Sequence, residues 1–113
     1  MNFPGPGLLI QGGRGLPVKI LALEKAGGSV PAAEYAPYLE DEARAVWNLV
    51  QAGAVREIYL RGDRPQAVIM LEAGNAAEGQ AILAQLPLVQ AGLIEFELIE
   101  LQPYPGYARL FTK

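Results

Sequence analysis

The chain has no cysteine and no histidine among its 113 residues. Without cysteine it can form no disulfide, thiolate metal site or thiol nucleophile, which excludes a secreted disulfide scaffold. Without histidine it lacks the commonest transition-metal ligand and the side chain that titrates nearest neutral pH. Histidine-ligated haem, imidazole-bound zinc and Ser-His catalysis are thereby excluded. Acid–base chemistry must run through Glu, Asp, Lys, Tyr or water. Basic residues are outnumbered too: 9 Lys and Arg stand against 12 Asp and Glu, for a formal charge of -3. They are spread along the chain, so the clustered basic face that displaces counterions from phosphates is missing and no nucleic-acid partner is expected. No apolar run approaches the ~20 residues that span a bilayer, and the N-terminus lacks the basic and apolar regions of a secretory signal. No membrane partner is expected, and a cytoplasmic location is the default.

Hydrophobic residues make up 51% and charged residues 19%, a balance that supports one packed core. Glycine and proline crowd the first 17 residues: Pro4, Gly5, Pro6, Gly7, Gly12, Gly13, Gly15 and Pro17. This composition predicts a poorly ordered leader over 1–17 and a single folded domain over 18–113. The run Gly12 to Gly15 precedes a strand instead of following one and opening a helix, so it does not read as a phosphate loop.

Val18 to Glu24 is apolar and β-branched, as a strand requires, and the Gly27-Gly28-Ser29 stretch breaks it. Leu39, Ala43, Val46 and Val50 then recur at helical spacing with Trp47 beside them, predicting one apolar stripe along a helix of about four turns. Glu40, Asp41 and Glu42 fall in its first turn, where negative charge suits the helix dipole, and Gly53 stops it. Pro37 fits an early helical position, with 32–36 a separate turn. Val55 to Arg61 and Gln66 to Leu71 flank Gly62-Asp63-Arg64-Pro65, the pattern of an antiparallel hairpin. Asn75 and Glu78 have capping-box spacing, so a second helix starts there and runs to Gln85, where Leu86-Pro87 ends it. Ile94 to Leu101 alternates apolar and acidic residues as a last strand, before an aromatic tail.

The order βαββαβ predicts an α+β fold of the split βαβ, ferredoxin-like kind: a four-stranded antiparallel sheet with two helices on one face. No internal repeat is evident beyond that pseudo-symmetry. Several strands are apolar at nearly every position, notably Val18 to Leu23 and Ala67 to Leu71, so both faces ask for cover. A homodimer joined through its sheet faces would supply it.

The segments VWNLVQAGAVREIYLRGDRPQAVIML (46–71) and LPLVQAGLIEFELIEL (86–101) resemble the muconolactone isomerase-like group of the dimeric α+β barrel superfamily, near the YciI-like small proteins. The likeness spans roughly 18–105 and leaves the leader aside. It implies a dimer whose two sheets form a barrel, assembly into larger rings, and a cleft for a small-molecule ligand. The His-Asp pair of the YciI-like members has no counterpart here. Muconolactone isomerisation moves a proton between carbons, which one carboxylate with a raised pKa can perform without metal or organic cofactor.

Glu24, Glu57, Glu95 and Glu97 are the strand-associated acids. Glu57, Glu95 and Glu97 are the catalytic candidates, because Glu57 shares a strand face with Tyr59 and Arg61, and Glu95 with Glu97. Arg61 or Arg44 would pair a ligand carboxylate. Tyr59 lies on the same polar face; Trp47 could stack on a ligand, and Tyr104 could close the pocket. The competing readings are salt bridges at a dimer interface in a non-catalytic binding or assembly module, and a cofactor-free oxygenase with an aromatic cavity near Trp47.

Overall fold

The structure is a computed structural model that describes residues 16–26 and 30–112. The leader expected over 1–17 lies outside the described residues except for Leu16 and Pro17, which directly precede the first strand. Strand β1 covers Val18–Ala26, two residues more than the expected Val18 to Glu24, because Lys25 and Ala26 continue the ladder opposite Glu95 and Ile94. A short helix α1 (Ala32–Tyr35) and a 3-10 turn (Ala36–Tyr38) holding Pro37 lead into α2 (Leu39–Gln51). Strands β2 (Val55–Leu60) and β3 (Ala67–Ala73) form the hairpin. Helix α3 (Ala76–Leu83), a short helix α4 (Pro87–Gln90) and strand β4 (Ile94–Glu100) follow, and a 3-10 segment (Pro105–Leu110) lies in the tail.

The fold is α+β: one four-stranded sheet, antiparallel at every pairing, in the order β2-β3-β1-β4. Register divides its two faces. Ile20 pairs with Leu71, Ala22 with Ile69, and Glu24 with Phe96, and these residues face the helices. Their apolar members are buried together with Val55, Ile94, the helix residues Leu83 and Leu88, and Leu86 between them. Buried Gly79 lets α3 lie close on this face, since a Cβ there would come within 3.0 Å of Leu98 and 3.2 Å of Ile20. The opposite face carries Leu21, Leu23, Val68 and Met70, all half-buried, and Ile99, 40% exposed. A bulge at Arg56 shifts β2 by one residue, which turns Glu57 and Tyr59 to this second face and Ile58 and Leu60 to the helix side.

Local chemistry accounts for the helix ends. Asn75 caps α3 by accepting from the Glu78 amide at 2.8 Å, and Glu78 reaches back to the Gly74 amide at 2.9 Å. Glu100 of β4 accepts from the Ala76 amide in the first turn of α3. Gly53 (φ 86°) and Gly92 (φ 77°) end α2 and α4 in the same way. Ala54 donates to the Leu49 carbonyl and Gly53 to Val50; Leu93 donates to Leu88 and Gly92 to Val89. Both are Schellman closures, and both are written by the same five residues, Leu-Val-Gln-Ala-Gly, at 49–53 and 88–92. The sequence therefore contains a short internal repeat after all, and α3 ends at Leu83, short of the expected Gln85, while Pro87 starts a new helical turn instead of ending α3.

The stripe expected on α2 is only partly the observed one. Ala45, Val46, Leu49 and Val50 pack on the core, whereas Leu39 and Ala43 are exposed and Trp47 is 58% exposed. Two stripes sharing Val46 and Val50 overlap in this sequence, and the one through Ala45 and Leu49 faces the sheet. Its next position up the helix is 42, so Glu42 is drawn inward while Glu40 and Asp41 stay in solvent.

Candidate functional site

Among the described residues, two clefts flank the sheet at opposite ends of β1. The larger, about 500 Å3, lies on the helix side where β1 ends, between α1, the start of α2 and the β2–β3 hairpin. Apolar walls come from Val30, Leu39, Leu60 and Leu88; the polar groups are Glu24, Tyr35, Arg64 and Gln66. The second, about 480 Å3, is lined by Val18, Lys19, Glu72, Leu101 and Pro103, and holds the Lys19–Glu72 ion pair at 3.6 Å.

Glu24 is placed in the larger cleft by register. It is the last helix-facing residue of β1 with a described side chain, and its Oε1 accepts the Ala67 amide at 2.8 Å where β3 begins. Behind it, Glu42 reaches from α2 to accept the Leu88 amide at 2.9 Å, fixing α4 against α2. Partial burial pushes the Glu42 carboxyl above the ordinary carboxylate range; the Leu88 amide works against that rise, and the neighbouring Glu24 charge adds to it. Two acids thus stand close together, one lining the cleft and one supporting its wall. Arg64 and Tyr35 supply a cation and a phenolic donor to the same space. Such a set can hold a small molecule with an anionic end and exchange a proton with it.

The residues expected to form the site are distributed differently. Glu57, Glu95 and Glu97 are exposed on the open sheet face and line neither cleft; Glu57 accepts from the Tyr59 hydroxyl at 3.3 Å. Lys25 stands across from Glu95, and Leu23 from Glu97. Arg61 is held by Asp63 through two hydrogen bonds of 2.9 and 2.8 Å, which keep the Asp63 carboxyl below its ordinary range. Arg44 binds Asp41 at 3.0 Å and Glu40 at 3.1 Å on the outer side of α2. Trp47 also faces outward, and neither cleft includes it. Tyr104 stacks edge-on against Tyr107, with 5.1 Å between ring centroids, and both rings are largely exposed. Arg64, Gln66 and Tyr35 were missed as site residues. A signal for them exists: an antiparallel β1–β3 pair brings the end of β1 to the β2–β3 turn, so Glu24 and the residues of that turn must meet.

Among the described residues no helix is long and apolar enough to cross a membrane, and no cluster of three or more His, Cys, Asp or Glu is placed to hold a metal. Compared with known protein families and with curated proteins, the sequence matches no family model and no curated protein.

Proposed function

We propose that the protein is a homodimeric α+β barrel of ferredoxin-like subunits, similar to the muconolactone isomerase-like group. Its helix-side cleft takes a small organic acid or lactone and shifts a proton on it without a cofactor. The observation that carries this reading is Glu24, a part-buried carboxylate in a cleft that also holds Arg64 and Tyr35. Arg64 pairs the carboxylate of the ligand, Glu24 removes a proton from carbon and returns it to another, and the Tyr35 hydroxyl donates to the oxygen on which charge develops. The strand order β2-β3-β1-β4 with its βαββαβ succession supports the split βαβ subunit. The apolar centre of the open sheet face supports the dimer, and the absence of cysteine fits a cytoplasmic setting.

Incubating the pure protein with muconolactone in deuterated water tests the reading. Isomerised, deuterium-labelled product is expected, with the rate falling about a hundredfold or more in Glu24→Gln at unchanged melting temperature. No turnover by the wild type removes the isomerase. A non-catalytic binding or assembly module is the second reading. It is favoured by the exposure of Glu57, Glu95 and Glu97 and by the engagement of Glu24 with the Ala67 amide. Trp47 lines neither of the two clefts described, so neither lends support to the oxygenase reading.

A further inference from the structure

The walls of the helix-side cleft differ by the element that supplies them. Glu24, Arg64 and Gln66 reach it from the sheet, at the end of β1 and in the β2–β3 turn, and Tyr35 joins them from α1. Leu39 at the start of α2, Leu60 at the end of β2 and Leu88 of α4 supply apolar surface. Leu88 is buried, whereas Leu39 is 54% and Leu60 68% exposed. A single exposed leucine is ordinary on a protein surface. Two from different elements that line one cleft of about 500 Å3 leave a joint apolar wall in water. Sites in the range of roughly 300–1,000 Å3 take ligands that have an apolar body as well as a polar end.

Charge defines the other end of the cleft. Lys19, Arg44 and Arg61 each hold a carboxylate of the chain, at 3.6, 3.0 and 2.8 Å. Arg64, the cation that lines this cleft, makes no ion pair or side-chain hydrogen bond among the described residues. Glu24, fixed by the Ala67 amide at 2.8 Å, brings a negative charge to the same space and opposes a second one there. Resting on the reading that this cleft is the ligand site, we propose that its ligand is a monocarboxylic acid with an apolar body. The carboxylate pairs with Arg64, and the alkyl or ring portion lies along Leu39, Leu60 and Leu88. A dicarboxylic acid is rejected, because its second carboxylate would be desolvated against the leucines or set against Glu24. The acid end gives orientation and the apolar body gives affinity, a methylene half removed from water adding about twofold.

Calorimetric titration of the full chain with butanoate, hexanoate, octanoate and octanedioate tests this with saturated acids, so the outcome does not depend on turnover. Octanoate is expected to bind about tenfold or more tightly than butanoate, and octanedioate about tenfold or more weakly than octanoate. Arg64→Gln should weaken octanoate about tenfold and leave octanol binding unchanged. The double variant Leu39→Ala/Leu60→Ala changes two exposed side chains. It should keep the wild-type melting temperature and butanoate affinity but flatten the rise with chain length. Octanoate that fails to bind at millimolar concentration overturns the proposal. So does an affinity indifferent to chain length, octanedioate bound as tightly as octanoate, or octanoate bound undiminished by Arg64→Gln. A rise with chain length that survives in Leu39→Ala/Leu60→Ala would put the alkyl chain on another apolar surface, such as the open sheet face, and equally overturn it. A protein that gives the expected series yet leaves muconolactone unchanged loses the proton shift and keeps this class of ligand.

Discussion

The two faces of the sheet are built from the same strands and behave differently. On the helix side, Ile20, Ala22, Ile69 and Leu71 are sealed beneath α3 and its neighbours, with Gly79 setting the distance of closest approach. On the other side, one residue along each strand, Leu21, Leu23, Val68 and Met70 are equally apolar yet only half-buried. A strand whose faces are both apolar is a strand meant to be covered twice. The first cover is supplied within the chain, and the second is what the proposed dimer provides.

Substitutions on the two faces should separate these covers. Leu71→Ala opens a cavity in the sealed face and should cost about 3 to 4 kcal/mol in urea unfolding, at any protein concentration. Gly79→Leu forces α3 off the sheet and should cost about 2 kcal/mol by the same measurement. Leu21→Asp on the open face should cost the folded monomer only about 1 kcal/mol, while removing the concentration dependence that dimerisation gives the wild-type melting temperature. If Leu21→Asp instead destabilises as much as Leu71→Ala at every concentration, the two faces are not different in kind.

The smallest expected effect concerns pH. Glu42 has a folded-state pKa above its unfolded value, so the folded protein holds this proton more readily than the unfolded chain does. Glu42 therefore works against stability at neutral pH, and that penalty is relieved as pH falls through its folded pKa toward the ordinary carboxylate value. Glu42→Gln keeps an acceptor for the Leu88 amide and removes the charge. It should raise stability at pH 7 by roughly 0.5 kcal/mol, allowing for the group's partial exposure, and flatten the slope of stability with pH just above the ordinary carboxylate range. An unchanged slope would place Glu42 in solvent with Glu40 and Asp41.

Much of the architecture is legible from period alone. The apolar run of Val18 to Leu23, the alternation in Ile94 to Leu98, the Gly62–Pro65 turn and the Asn75/Glu78 cap each correspond to a feature of the structure. The rotation of α2 is not legible from period, because two apolar stripes sharing Val46 and Val50 fit the same helix and only the packed sheet chooses between them. That choice moves Trp47 out and Glu42 in. The short helix α4 was legible by another route: the Leu-Val-Gln-Ala-Gly that ends α2 recurs at 88–92, and equal residues close equal helix ends. The cleft was the hardest to read. Strand faces drew attention to Glu57, Glu95 and Glu97, whereas the clustering of Glu24 with Arg64 depends on which strand ends meet, a consequence of sheet order that no single strand carries.

The claim that the sheet is made to be covered on both faces is tested most directly by hydrogen–deuterium exchange of the β1 and β3 amides, with sedimentation equilibrium of the same wild-type and Leu21→Asp samples. The wild-type mass is expected to be at least twice that of the chain. In Leu21→Asp the open-face contact should be lost, with faster exchange at Leu21, Leu23, Val68 and Met70 but a folded helix-side core. A wild-type protein that sediments as a monomer, with exchange unaltered by the substitution, would contradict it.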